Sequence, residues 1–165
     1  MTDDLDRLAQ AVASHLISRR QTVAVAESSA GGLISAALLS VPGASAYYLG
    51  GGVIYTGRAL KGLLGVERGT LEGMRSSSEP YASFLADRIR QTLRADWGLA
   101  ETGAAGPTGN VYGDAAGHTC LAVSGPLSAV ETLETAATDR AANMDAFARA
   151  ALALLLRRLE TPAAR

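Results

Sequence analysis

AVAESSAGG, Ala24 to Gly32, is an apolar run that turns through a Glu-Ser-Ser step into paired glycines and then into LISAALL, an apolar helix. A strand-to-helix junction of this kind gathers small hydroxyls and unpaired backbone N–H groups beside the positive end of a helix dipole. Such a point can hold an anion, or a serine that attacks a carbonyl while the same N–H groups stabilise the oxyanion. The plainer alternative is that Ser28 or Ser29 only caps the helix, a contribution of about 1 kcal/mol to folding.

Towards the N-terminus, Leu5, Leu8, Ala9, Val12, Leu16 and Ile17 recur with helical spacing, so an amphipathic helix is expected there, with Asp3 and Asp4 suited to its start. Thr22 to Ala26 predicts a short buried strand. Beyond the junction, Pro42-Gly43 ends the apolar helix, and Ser45 to Tyr55, SAYYLGGGVIY, reads as a strand broken into two pieces by its glycines, the break being a bulge or a close approach of backbone. A short helix over Arg58 to Leu64 stops at Gly65. Ser78-Glu79-Pro80 opens a long helix whose Tyr81, Phe84, Leu85, Ile89 and Leu93 face the core. Gly98 to Gly103 is a strand running into GAAGPTGNVYGDAAG, a loop too long and glycine-rich for an ordinary connection. GHTCLAVSG and AVETLETAA follow as an antiparallel pair turned at Pro126, and Asp139 caps a closing helix that buries Phe147, Ala151, Leu154 and Leu155. This order predicts one domain over residues 1–165, an α/β fold of three layers (α/β/α) on a mixed parallel and antiparallel sheet. Ligands bind at the carboxyl ends of strands in such sheets, so the Ser28 junction and the Gly103 loop are expected to share one crevice.

Composition narrows the function. The 165 residues carry a net charge of −1, and the arginines are spread without a basic stripe, which argues against nucleic acid as a partner. A single cysteine, Cys120, excludes an internal disulfide and reads as a packed core residue. Two isolated histidines with no acidic cluster at ligand spacing argue against a metal site, and no cofactor is expected. MTDDLDRL is acidic where a signal peptide would be basic, so a cytoplasmic protein is expected. Ser28 to Gly57 is thirty residues without a charge, but Pro42-Gly43 and Gly50-Gly51-Gly52 divide it into pieces too short to span a membrane. It reads instead as core, active-site floor or subunit interface, and a homo-oligomer is expected.

AESSAGG, then VPGASAYYLGGGVIYTGRALKGLLGV, SSSEP, TGAAGPTGN and GHTCLAVSGP, together resemble the C-terminal domain of the CinA competence/damage-inducible family, in order and over nearly the whole chain. The likeness is to the stand-alone form, without the molybdopterin-binding-like N-terminal domain of longer relatives. The resemblance implies a nicotinamide mononucleotide deamidase, which hydrolyses the carboxamide to nicotinic acid mononucleotide and ammonia. The family's E-S-C-T-G-G falls on Glu27, Ser28, Ser29, Ala30, Gly31 and Gly32, making Ser28 the implied nucleophile. Its tyrosine falls on Tyr55, its T-G-I-A-G-P loop on Thr102, Gly103, Ala104, Ala105, Gly106 and Pro107, and its G-D-R on Thr138, Asp139 and Arg140.

The departures bear on activity. The family's catalytic lysine lands on Leu60, while Lys61, one place later, is the only lysine among fifteen basic residues. One helical step rotates a side chain by about 100°, so Lys61 serves only if the backbone shifts register near Gly57; otherwise it is a surface lysine. Ala30 replaces a threonine, and Gly57-Arg58-Ala59 replaces a polar N-E-A.

The implied site therefore has Ser28, Tyr55 and Lys61 as its catalytic group. Backbone N–H groups at Gly31 and Gly32 would form an oxyanion hole, and Gly103, Gly106, Gly109 and Arg140 would cradle the phosphate. Glu27, Ser29 and Thr102 are the remaining implied substrate-binding positions. Three functions are open: an active amidase on nicotinamide mononucleotide, a nucleotide-binding homologue without turnover, and an amidohydrolase with a shifted nucleotide substrate.

Overall fold

The computed structural model describes residues 2–162, apart from the side chain of Arg68. The elements run α1 (Asp3–Arg19), β1 (Val23–Glu27), α2 (Leu33–Ser40), β2 (Tyr48–Val53), α3 (Gly57–Leu64), α4 (Glu79–Leu93), β3 (Trp97–Ala104), β4 (His118–Ser124), β5 (Ala129–Glu134) and α5 (Arg140–Glu160), with 3-10 turns at Ala44–Ala46 and Arg68–Leu71. The five strands lie in the order β2-β1-β3-β4-β5. β1 is parallel to β2 and β3, while β4 is antiparallel to both β3 and β5. The sheet is mixed, as the sequence predicts.

Strand alternation divides the interior into two unequal layers. Val23, Val25, Trp97, Leu99, Leu121 and Val123 meet α1, α2 and α5 on one face. Ala24, Ala26, Ala100 and Ala122 turn to the other, where α3 and α4 pack. Small side chains there let α4 ride close on the sheet. A Cβ on Gly98 would stand 2.0 Å from the Ala86 carbonyl oxygen of α4, so only glycine fits.

Local signals set the boundaries. The Ser78 hydroxyl accepts from the Tyr81 N–H at 3.4 Å to start α4, and Asp139 Oδ1 accepts from the Ala142 N–H at 2.8 Å to start α5. A 3-10 turn opens the Ser45–Tyr55 stretch, and β2 after it carries the expected irregularity as a shift in its pairing with β1 between Tyr48 and Gly50. The close approach falls at Gly51, where a Cβ would meet the Val25 carbonyl oxygen of the neighbouring strand at 2.6 Å. Leu93, expected in the core, is partly exposed at the end of α4. Among the described residues no helix is long and apolar enough to cross a membrane.

Candidate functional site

β1 ends at Glu27, and the chain turns through Ser28 to Gly32 before α2. Gly31 and Gly32 make the turn at φ +67° and +101°, a region side chains avoid. Glu27 is fully buried and binds the helix start from within: Oε1 accepts the N–H groups of Gly32 at 2.8 Å and Ile34 at 3.1 Å. Its Oε2 accepts the N–H of Ser35 at 2.9 Å and the Ser35 hydroxyl at 2.7 Å. A second buried carboxylate, Glu101 of β3, holds the turn itself. Its Oε2 accepts the N–H groups of Ser28 at 3.0 Å and Ala30 at 2.8 Å. Its Oε1 accepts the hydroxyls of Ser29 and Thr119, the latter at 2.9 Å. Burial pushes the Glu101 carboxyl above its ordinary range, although hydrogen bonds from Ser29, Ala30, Ser28 and Thr119 pull it part of the way back.

These bonds change the reading of the junction. The acceptors at the start of α2 are the protein's own, and the N–H groups expected to form an oxyanion hole are spent: Gly32 on Glu27, and Gly31 on the Ser28 carbonyl at 3.1 Å. Glu27, expected to bind substrate, spends both oxygens on the helix.

The junction and the glycine loop do share a crevice, at the carboxyl ends of β1 and β3. Its larger lobe, about 540 Å³, is lined by Ser28, Tyr55, Ser76, Ser77, Tyr81, Thr102 and Tyr112 among others. The smaller, about 200 Å³, is lined by Ser29, Ala105, Gly106, Thr108 and Arg140. Tyr55, Gly103, Gly109 and Asn110 border both. Arg140 donates to the Gly106 carbonyl at 2.5 Å and to the Tyr55 hydroxyl at 3.1 Å, so its guanidinium bridges loop and tyrosine at the lip. The crevice thus unites Ser28, Ser29, Tyr55, Thr102, Gly103, Gly106 and Arg140. Gly103 and Gly106 are also demanded by the fold, because a Cβ would meet the His118 carbonyl oxygen at 2.3 Å and that of Thr138 at 2.7 Å.

Lys61 is not brought there. It borders a separate depression of about 690 Å³ beside α3, with Val66, Leu71 and Met74, and its amine pairs with Glu67 at 3.1 Å where both are exposed. Leu60, one step round the helix, is buried in the core beneath α3. The helix keeps its register: residue 60 points inward and residue 61 outward.

The loop wall rests on residues that sequence reading passed over. Arg75 pairs with Asp114 through two hydrogen bonds, at 2.6 and 3.1 Å, and lies over the Tyr112 ring at 5.3 Å. Asn110 Nδ2 donates to Asp114 at 2.8 Å, while Asn110 Oδ1 accepts the N–H groups of Tyr112 and Asp114. His118 faces the Glu134 carboxylate with Nδ1 and the Ser77 carbonyl, at 2.9 Å, with Nε2. Both partners only accept, which suits the doubly protonated ring. Burial alone would lower the His118 pKa, but bonds to Glu134 and Ser77 and the charges of Glu134 and Asp114 carry it above its ordinary value. Glu101 did leave a signal: the one charge inside the strand sequence WGLAETGA.

Comparison with known proteins gives the family of the chain. The family model described as CinA C-terminal domain matches residues 5–159. The chain is 40% identical over 146 residues to a CinA-like protein of Desulfosudis oleivorans, 87% of this chain and 35% of that protein. It is 42% identical over 123 residues to a CinA-like protein of Synechococcus sp. (strain RCC307), 74% of this chain and 30% of that protein. It therefore spans about a third of the length of these curated relatives. The crystal structure of the competence/damage-inducible protein of Agrobacterium tumefaciens superposes with a TM-score of 0.88 at 29% identity, covering 98% of each chain. A CinA superfamily protein of Escherichia coli gives 0.87 at 28% identity, covering 96% of this chain and 93% of that one. With sequence, strand order and solved neighbours in agreement, the chain belongs to the CinA C-terminal domain family.

Proposed function

We propose that the crevice binds a pyridine mononucleotide, phosphate towards Arg140 in the smaller lobe and carboxamide towards Ser28 in the larger, and that this chain lacks lysine-driven deamidation. The observation that carries this reading is the pairing of Lys61 with Glu67 outside the crevice, with Leu60 buried at the position of the family's lysine. A serine hydroxyl needs a base to attack an amide at neutral pH, and the ionisable side chains bordering the two lobes are three tyrosines and Arg140.

A second reading keeps catalysis, because Ser28 and Tyr55 border the same lobe. Ser28 Oγ would attack the carboxamide carbon while Tyr55 relays its proton to the departing ammonia, and water would then release nicotinic acid mononucleotide from the acyl-enzyme. The two readings separate in one experiment, a thermal-shift titration with nicotinamide mononucleotide alongside an ammonia assay. A shift without ammonia is the expected result. Ammonia release that disappears in Ser28→Ala overturns it in favour of the amidase. Neither shift nor ammonia would redirect the search to other nucleotide amides.

A further inference from the structure

Glu101, fully buried on β3, holds the turn at Ser28 but borders neither lobe of the crevice. A carboxylate in such a place is costly unless each lone pair finds a donor, and this one meets four. The donors are of two kinds. The hydroxyls of Ser29 and Thr119 face Oε1, and a hydroxyl can turn to accept instead of donate. The N–H groups of Ser28 and Ala30 face Oε2, and an amide hydrogen cannot turn away without moving the backbone. β1 presents one titratable group next to this position, Glu27, whose oxygens are committed to α2; β4 presents Thr119.

We propose that Glu101 is a positioning residue for Ser28: through Oε2 it fixes the backbone on either side of Ser29 and so sets where the Ser28 hydroxyl stands in the crevice. The proposal rests on the reading that the crevice binds a nucleotide only for its functional arm. Glutamine can take over the task, its carbonyl oxygen accepting the two N–H groups and its amide donating to the two hydroxyls. Leucine, of similar size, strands both N–H groups.

Two measurements test this. Amide hydrogen exchange by NMR should show Ser28 and Ala30 protected to a similar degree in the wild type and Glu101→Gln, and exchanging roughly 10- to 100-fold faster in Glu101→Leu, the range for a lost bond to a charged group. Strand amides at Leu99 and Val123 serve as the folding control. If the leucine variant does not fold, Glu101→Asp, shorter by one methylene, should show the same selective loss to a smaller extent. Unchanged protection in the folded variants, or equal loss in the glutamine variant, overturns the anchor. The second measurement is nicotinamide mononucleotide affinity in a double-mutant cycle: Glu101→Leu should weaken binding about tenfold in the wild type and add no further loss in Ser28→Ala. Equal loss in both backgrounds means that Glu101 supports the fold without acting through Ser28. If the wild type binds no mononucleotide, the functional reading fails separately, and the exchange data alone decide the anchor.

Discussion

The junction wall of the crevice, Ser28 to Gly32, is held by Glu27 and Glu101, both fully buried; the loop wall, Gly106 to Gly117, is held by groups nearer the surface, with Arg75 on Asp114 and His118, itself fixed by Glu134 and Ser77, 3.7 Å from Asp114. Both walls order a turn that regular secondary structure cannot satisfy. In the first, buried side chains of the protein itself take up the N–H groups that a helix start leaves free, out of reach of salt. In the second, the same work falls to ion pairs that screening and pH can loosen. On the proposed reading, a ligand between them would meet one wall anchored by buried groups and another anchored by groups nearer the surface.

The largest expected effect lies on the junction side. Glu27→Ala removes the acceptor for three N–H groups and a hydroxyl at the start of α2, and should cost about 3–5 kcal/mol in urea unfolding, since several buried donors are left unpaired. A loss below about 1 kcal/mol would mean that water replaces Glu27 freely and the walls do not differ in kind.

On the loop side the expected effect is smaller and depends on pH. His118→Gln should cost about 1–3 kcal/mol at acidic pH. Because the folded ring has a raised pKa, its contribution is fully present below the ordinary histidine value near 6.5 and is lost as pH rises through the higher folded value. Chemical unfolding from pH 5 to 9 should therefore show this increment vanishing in the wild type, and the variant should not show it. The same pH dependence in both proteins would remove His118 as the source.

Arg140 sits where the walls meet. Arg140→Ala should weaken nicotinamide mononucleotide about tenfold, the scale of one charge-assisted bond, while leaving the matching nucleoside nearly unchanged in calorimetry. Equal losses would assign the guanidinium to its bonds with Gly106 and Tyr55 alone. The smallest effect belongs to Lys61→Met: with an exposed partner, it should move stability by less than about 0.5 kcal/mol and leave the nucleotide thermal shift intact. Loss of that shift would bring the lysine back to the crevice.

The periodic segments were legible because packing obeys periodicity: Leu5 to Leu16 is a helix with a buried stripe, and Ser78 and Asp139 cap the helices their spacing announces. The crevice was legible from topology, since strand ends gather loops. What could not be read was which groups would satisfy one another across the sheet. Seventy-three residues separate Ser28 from Glu101, so an N–H that looks free in sequence is occupied in the fold. Lys61 shows the same limit in reverse: one residue of register decides between crevice and solvent, and only the burial of Leu60 fixes it.

The alanine side of the sheet sets a dimension of the molecule far from its own position. α4 stands as near to β3 as Gly98 and its alanine neighbours allow, and the segment entering α4 carries Ser76 and Ser77, which border the larger lobe. Replacing Ala100 or Ala122 with valine would act as a shim, pushing the helix outward and carrying that border with it. The width of the larger lobe thereby depends on residues that do not line it.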